Sequence, residues 1–157
     1  MNATLRAPTA HDFAAIASWI PDAAAALRWA GPRLPFPFSA ADLPAWLALP
    51  GCGQSSYSLV DGAGQLCGFG QHWVVQPGAV HLGRIIIAPG ARGQGVGRVL
   101  CQQLIAAALR ATSATTVTLR VYKDNPVAVG LYASLGFTEL ASESTGDVYF
   151  MQLQVPG

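Results

Sequence analysis

The sequence predicts an α/β fold in one domain, residues 1–157, and three observations carry that expectation. An apolar strand through Ile85-Ile86-Ile87 runs through a glycine-studded turn into a helix. Thr116 to Tyr122 sets Val117, Leu119 and Val121 against Thr118, Arg120 and Tyr122, the period-two pattern of a half-buried strand. Tyr57 to Val60 and Gln65 to Val75 flank the turn Asp61-Gly62-Ala63-Gly64, which predicts a β-hairpin.

Taken in order, Thr4 to Arg6 reads as a short strand, and Thr9 or Ala10 opens a helix whose Phe13, Ile16 and Ile20 recur near helical spacing. Pro21 interrupts it, and a second helical run, Asp22 to Trp29, stops at Gly31-Pro32. The three prolines between Pro32 and Phe38 exclude regular helix or central strand. Ser39 then caps an expected third helix, Ala40 to Leu49, closed by Pro50-Gly51. After the hairpin, His81 to Ala88 forms a strand whose isoleucine run predicts burial on both faces, in the middle of a sheet. Val96, Val99, Leu100, Leu104, Ala107 and Ala108 mark one apolar stripe of a helix from Val96 to Ala111. Asn125 caps the last helix with Pro126 at its first position, Gly136 ends it, and Phe137 to Leu140 and Val148 to Val155 complete the sheet.

The turn Gly90-Ala91-Arg92-Gly93-Gln94-Gly95-Val96-Gly97-Arg98 is an anion cradle. Glycines at alternate positions let backbone amides converge without Cβ clashes, and the helix that follows offers free N–H groups and the positive end of its dipole. A phosphate or pyrophosphate is the natural occupant. A nucleoside-triphosphate loop needs Gly-Lys followed by Ser or Thr, and the only lysine is Lys123. A dinucleotide fingerprint starting at Gly93 ends on Arg98 in place of glycine and has no acid at residues 112 to 118.

The pattern that fits is Arg-x-x-Gly-x-Gly, as Arg92, Gly95 and Gly97, and here the chain resembles the GNAT superfamily of acyl-CoA-dependent N-acyltransferases. Ile87-Ala88-Pro89 precedes the loop as in the family, and a second block follows as Val121, Asn125-Pro126, Ala128, Leu131-Tyr132 and Gly136-Phe137. The two blocks span roughly residues 80 to 154. The resemblance implies a mixed, mostly antiparallel sheet of about six to seven strands, splayed between 81–88 and 116–122, with helices on both faces. It also implies an acceptor-side half, 1–76, and an acyl-CoA-binding and catalytic half, 80–154.

On that resemblance Arg92 and the amides of Gly93, Gln94, Gly95, Val96, Gly97 and Arg98 bind the pyrophosphate of acetyl-CoA, the cosubstrate. The backbone of Ile85, Ile86 and Ile87 pairs with the pantetheine amides, and a main-chain amide near Ile87 meets the oxyanion. Asn125 bonds the pantetheine arm, caps its helix, or both. An alkylamine with pKa about 10.4 is almost wholly cationic at pH 7, and freeing its lone pair takes roughly 4 to 5 kcal/mol, so a base or proton path is needed. The family's usual glutamate, eleven residues before the loop arginine, is here His81, with His72 on the preceding strand as a backup. A neutral imidazole can take that proton, although an ordinary strand-end histidine explains His81 equally well. Tyr132 is the expected acid for the departing thiolate, against the alternative of a core tyrosine bonded to the backbone.

Acceptor specificity is expected from the first half, where Trp19, Trp29, Leu34, Phe36, Phe38 and Trp46 cluster about the proline-rich loop. Arg28 and Arg33 suit a carboxylate on the acceptor, and Asp22 and Asp42 suit a polyamine; the residues alone do not choose. Eight Asp plus Glu in total give little support to a strongly acidic cleft. The expected reaction is direct acetyl transfer to a primary amine of a small molecule or peptide. It needs no cysteine nucleophile, and Cys101, past the first turn of its helix, is poorly placed to be one. The alternatives are a catalytically silent acyl-CoA-binding or sensing module, and O-acyl transfer or longer acyl donors on the same scaffold.

A net charge of +1 with 11% charged residues shows no extended basic face, so no nucleic acid partner is expected. Cys52, Cys67 and Cys101 have no metal-ligand spacing, which predicts reduced thiols, no disulfide and no metal. No stretch reaches about 18 apolar residues, so no membrane association is expected and a cytoplasmic, unprocessed protein is. Similar proteins are commonly homodimers; the residues are silent on oligomeric state.

Overall fold

In the computed structural model, which describes residues 2–156, the chain runs β1 (Thr4–Arg6), α1 (Ala10–Ser18), α2 (Ala23–Ala30), α3 (Leu43–Trp46), β2 (Ser55–Val60) and β3 (Leu66–Gln76). It continues through β4 (Ala79–Ile87), α4 (Val96–Thr112), β5 (Thr116–Tyr122), α5 (Pro126–Ser134), β6 (Thr138–Glu139) and β7 (Val148–Gln154). The seven strands form one sheet in the order β1-β2-β3-β4-β5-β7-β6. Every neighbouring pair is antiparallel except β4 with β5.

Strand alternation sorts the core onto two faces. Val117, Leu119 and Val121 of β5, with Val80 and Leu82 of β4, pack beneath Leu104 and Ala108 of α4 and Tyr132 of α5. On the opposite face Phe69 of β3 meets Phe13 and Ile16 of α1, Ala26 of α2 and Leu43 of α3. The first helix is fastened by its cap. Thr9 and Asp12 form a reciprocal capping box, and Asp12 also accepts from Arg6 Nη2 at 3.0 Å and from Ser58 Oγ at 2.9 Å. Although burial pushes the Asp12 carboxyl upward, these donors hold it down at about 2.

The third helix is far shorter than its sequence pattern predicts. Ser39 makes no side-chain cap, Ala40–Asp42 is a single 3-10 turn, and α3 spans only four residues. Pro44 is the reason: a proline fits only the first turn of an α-helix, so α3 begins beside it and not at Ala40. The isoleucine run also departs from expectation. β4 is the central strand of the seven, yet Ile85, Ile86 and Ile87 are only half-buried, because β5 has left their side. Among the described residues no helix is long and apolar enough to cross a membrane.

Candidate active site

Parallel pairing between β4 and β5 runs from Ala79 opposite Thr116 to Leu82 opposite Leu119 and then stops. At the same point β4 carries a bulge against β3, where Gln71 pairs with Gly83 but Phe69 pairs with Ile86. Arg84 lies within it at φ +49°, a conformation that only a constrained non-glycine residue holds. Beyond the bulge, one edge of β4 is bare. The Ala88 N–H donates to Cys67 O on the β3 side, so by strand alternation the N–H groups of Ile87 and Ile85 face the gap left by β5.

A cavity of about 620 Å³ fills that gap and extends to the glycine turn. Ile85, Ile86, Ile87, Arg92, Gly93, Gly95, Val96, Gly97, Arg98, Asn125 and Tyr132 all line it. Gln94 does not: its side chain turns back to donate to Gly90 O at 3.1 Å. Gly95, at φ +79°, is the N-cap of the 17-residue α4 and supplies no side-chain cap, leaving the first-turn amides for a ligand. Gly97 faces α5, where an added Cβ would stand 3.4 Å from Leu131, in ordinary van der Waals contact. Asn125 does cap α5, its Oδ1 accepting from Ala128 N at 3.3 Å.

Tyr132 is only 8% exposed and borders the cavity. Burial pushes its phenol upward, and the adjoining Cys101 thiol, to which it hydrogen-bonds, raises it further. The hydroxyl therefore stays protonated at neutral pH. Cys101 lies on the same cavity wall, so its place in the helix does not remove it from the chemistry. Electrostatics does, because burial drives its thiol up to about 12 and leaves almost no thiolate at pH 7.

His81 lies outside this cavity, on the opposite face of the sheet. It opposes Trp73 of β3 and Thr118 of β5, with its ring 5.0 Å from Trp73 and stacked at 6.2 Å on Phe150. Nδ1 shares a 2.7 Å hydrogen bond with Thr118 Oγ1, which leaves Nε2 as the nitrogen able to meet a ligand. Burial lowers its pKa to about 4, with Arg120 and Arg84 adding repulsion. His72 is no substitute: fully buried on the other face, it meets Tyr57 Oη at 3.0 Å and lines none of these cavities.

Two cavities border His81: one of about 230 Å³ between β4, β5 and α2, and one of about 410 Å³ that shares Trp73 and Arg120 with it and is also lined by Glu143 and Phe150. A smaller one, about 130 Å³, shares Ile85, Asn125 and Tyr132 with the 620 Å³ cavity and Trp29, Arg84 and Arg120 with the 230 Å³ cavity, so it lies between the two. Of the aromatic cluster expected to line an acceptor pocket, Trp29 does so. Leu34 is core and Trp19 packs against the core, whereas Phe36 and Trp46 are exposed. Asp22 is occupied capping α2. Arg84, Arg120 and Trp73 were not recognisable from sequence spacing, because Arg84 lies in a bulge without a local sequence signal and Trp73 and Arg120 reach the cavity from other strands.

This arrangement has known counterparts. The chain superposes on spermidine N-acetyltransferase from Vibrio cholerae, in complex with CoA and spermine, with a TM-score of 0.78 at 21% identity, covering 98% of this chain and 95% of that one. It also superposes on ribosomal-protein-S18-alanine N-acetyltransferase from Escherichia coli with a TM-score of 0.69 at 23% identity, covering 99% and 95%. At such identities the likeness shows the fold. The model of the acetyltransferase (GNAT) family matches residues 23–137, spanning both the glycine turn and the Asn125-to-Phe137 block. The chain belongs to the GNAT acetyltransferase family and is an acyl-CoA-dependent N-acyltransferase.

Proposed function

We propose that the protein transfers an acetyl group from acetyl-CoA directly to a primary amine of a small molecule or peptide. The observation that carries this reading is the connected path from the glycine turn, along the bare edge of β4, through the splay to His81. The two related enzymes are named for a polyamine and a protein alanine as acceptors, which supports amines as the class.

The amides from Gly93 to Arg98 hold the diphosphate, and the edge of Ile85 to Ile87 takes the pantetheine arm as an added strand. This places the thioester carbonyl at the splay, where the Ile87 N–H meets the developing oxyanion. A direct transfer from an ammonium of pKa about 10.4 to an imidazole at about 4 is uphill by about 9 kcal/mol. The amine therefore enters neutral, and His81 Nε2 takes its proton after attack, once the new C–N bond has acidified the nitrogen. Tyr132, still protonated, gives its proton to the thiolate.

The low basicity of His81 is also what favours the second reading, a silent acyl-CoA-binding module. Calorimetry with acetyl-CoA followed by thiol release with a panel of amines separates them. Binding with amine-dependent release supports transfer; binding with no release for any amine assigns the silent module.

A further inference from the structure

Resting on that transferase reading, we propose that the acceptor amine carries a carboxylate, which Arg84 and Arg120 grip at the splay while the amine faces His81. Four of the nine cationic side chains, Arg28, Arg33, Arg84 and Arg120, gather around the acceptor cavity or beside Arg84. Among the described residues only two ion pairs form, Arg6 with Asp12 and Arg28 with Asp124. Arg84 and Arg120 have no carboxylate partner there: no Asp or Glu lines the 230 Å³ cavity, and Glu143, which borders the adjoining 410 Å³ cavity, offers Arg120 its backbone oxygen and forms no ion pair with it.

Both guanidiniums are preset. Arg84 lies 4.9 Å over the Trp73 ring and donates through Nη1 to Gln71 Oε1 at 3.0 Å and Leu47 O at 3.4 Å. Arg120 lies 4.9 Å over Phe150, with Nη1 directed at Glu143 O at 3.4 Å. Stacking fixes each plane and leaves its remaining N–H edge for a planar, two-oxygen anion. Arg84 is half-buried, where an unpaired charge is unfavourable, and an incoming carboxylate offsets that. Trp29, on the same wall, has a buried indole N–H without a partner. A polyamine would bring more positive charge into a site that already repels it.

The test is thiol release from acetyl-CoA with standard α- and ω-amino acids, each paired with its carboxamide, and with linear polyamines. The expected result is kcat/KM at least tenfold higher for the best acid than for its amide, with polyamines poorer than either. Arg120→Gln, at an exposed position, and Arg84→Lys, which keeps charge but loses the fork, should each raise KM for the acid and cut the acid-to-amide ratio by several-fold. Amides equal to acids, polyamines preferred, or a ratio unchanged in both variants would overturn the carboxylate assignment while leaving the transferase reading intact. Acetyl-CoA binding without release for any amine would overturn both.

Discussion

Protonation of His81 is a perturbation whose size the geometry sets. In the unfolded chain the imidazole titrates at its ordinary 6.5, whereas in the fold, buried between Trp73 and Phe150 and facing Arg120 and Arg84, it titrates at about 4. Between those values the unfolded chain holds a proton that the folded one does not. Stability from this residue is thus complete above about pH 6.5 and declines as pH falls towards 4. By pH 4 the loss is about 3 kcal/mol, and about 2 kcal/mol of it has occurred by pH 5. Against the ~5–15 kcal/mol that holds a typical domain, this is a large fraction. His72, lowered by burial, acts in the same direction, and Asp12, held at about 2, acts only in stronger acid. Both are common to wild type and His81→Phe, so the difference between the two proteins isolates His81. Urea denaturation at pH 7, 6 and 5 should show wild type losing about 2 kcal/mol more than the variant. Parallel pH dependences would mean that the ring is protonated within the fold, and both its burial and its role as a neutral acceptor would have to be abandoned.

Gly95→Val places a β-branched side chain at φ +79° in the turn, and calorimetry should show acetyl-CoA affinity falling at least tenfold. Tyr132→Phe removes only the proton donor, so kcat should fall about 10²-fold or more while acetyl-CoA binding is retained; unchanged kcat would make Tyr132 a packing residue. Because the amine must arrive neutral and His81 is neutral well below pH 6, kcat/KM should rise about tenfold per pH unit from 6 to 8, with no inflection near 6.5. Gly83→Ala sets a Cβ 2.3 Å from the Trp73 ring tip, and that ring is already packed against His81 and Arg84. Overpacking of this kind should lower stability by about 1–3 kcal/mol in denaturant titrations.

The glycine-turn side of the candidate site was legible because its backbone geometry leaves marks in sequence. Gly95 must adopt a left-handed conformation and Asn125-Pro126 must start a helix, so each restricts residue type at a fixed spacing. Most strands were equally plain, since Val117, Leu119 and Val121 alternate against polar neighbours. The acceptor side left no such marks. Trp73, His81 and Thr118 come from three strands and meet only through sheet register, and Phe150 reaches them from a fourth. Phe36 and Trp46, which looked like pocket aromatics, point outward, and composition alone could not distinguish them from Trp29.

Arg84 shows why the missing half is organised as it is. One bulge in β4 lies where pairing with β5 ends, beside the bare Ile85–Ile87 edge, and delivers a guanidinium to the cavity beside His81. Its backbone at φ +49° is unfavourable for arginine by roughly 1–2 kcal/mol, and the bonds to Gln71 and Leu47 with the Trp73 stack offset it. The two contributions can be separated by substitution. Arg84→Gly removes both the strain and the side chain, whereas Arg84→Gln keeps the strain and loses the anchors. If the bulge is imposed by the sheet, the glycine variant should be the more stable of the two by about 1 kcal/mol in urea titrations, with acetyl-CoA affinity preserved in both. If the side chain itself holds the bulge open, both variants should lose acetyl-CoA affinity together, because the edge proposed to receive the pantetheine arm would close against β5.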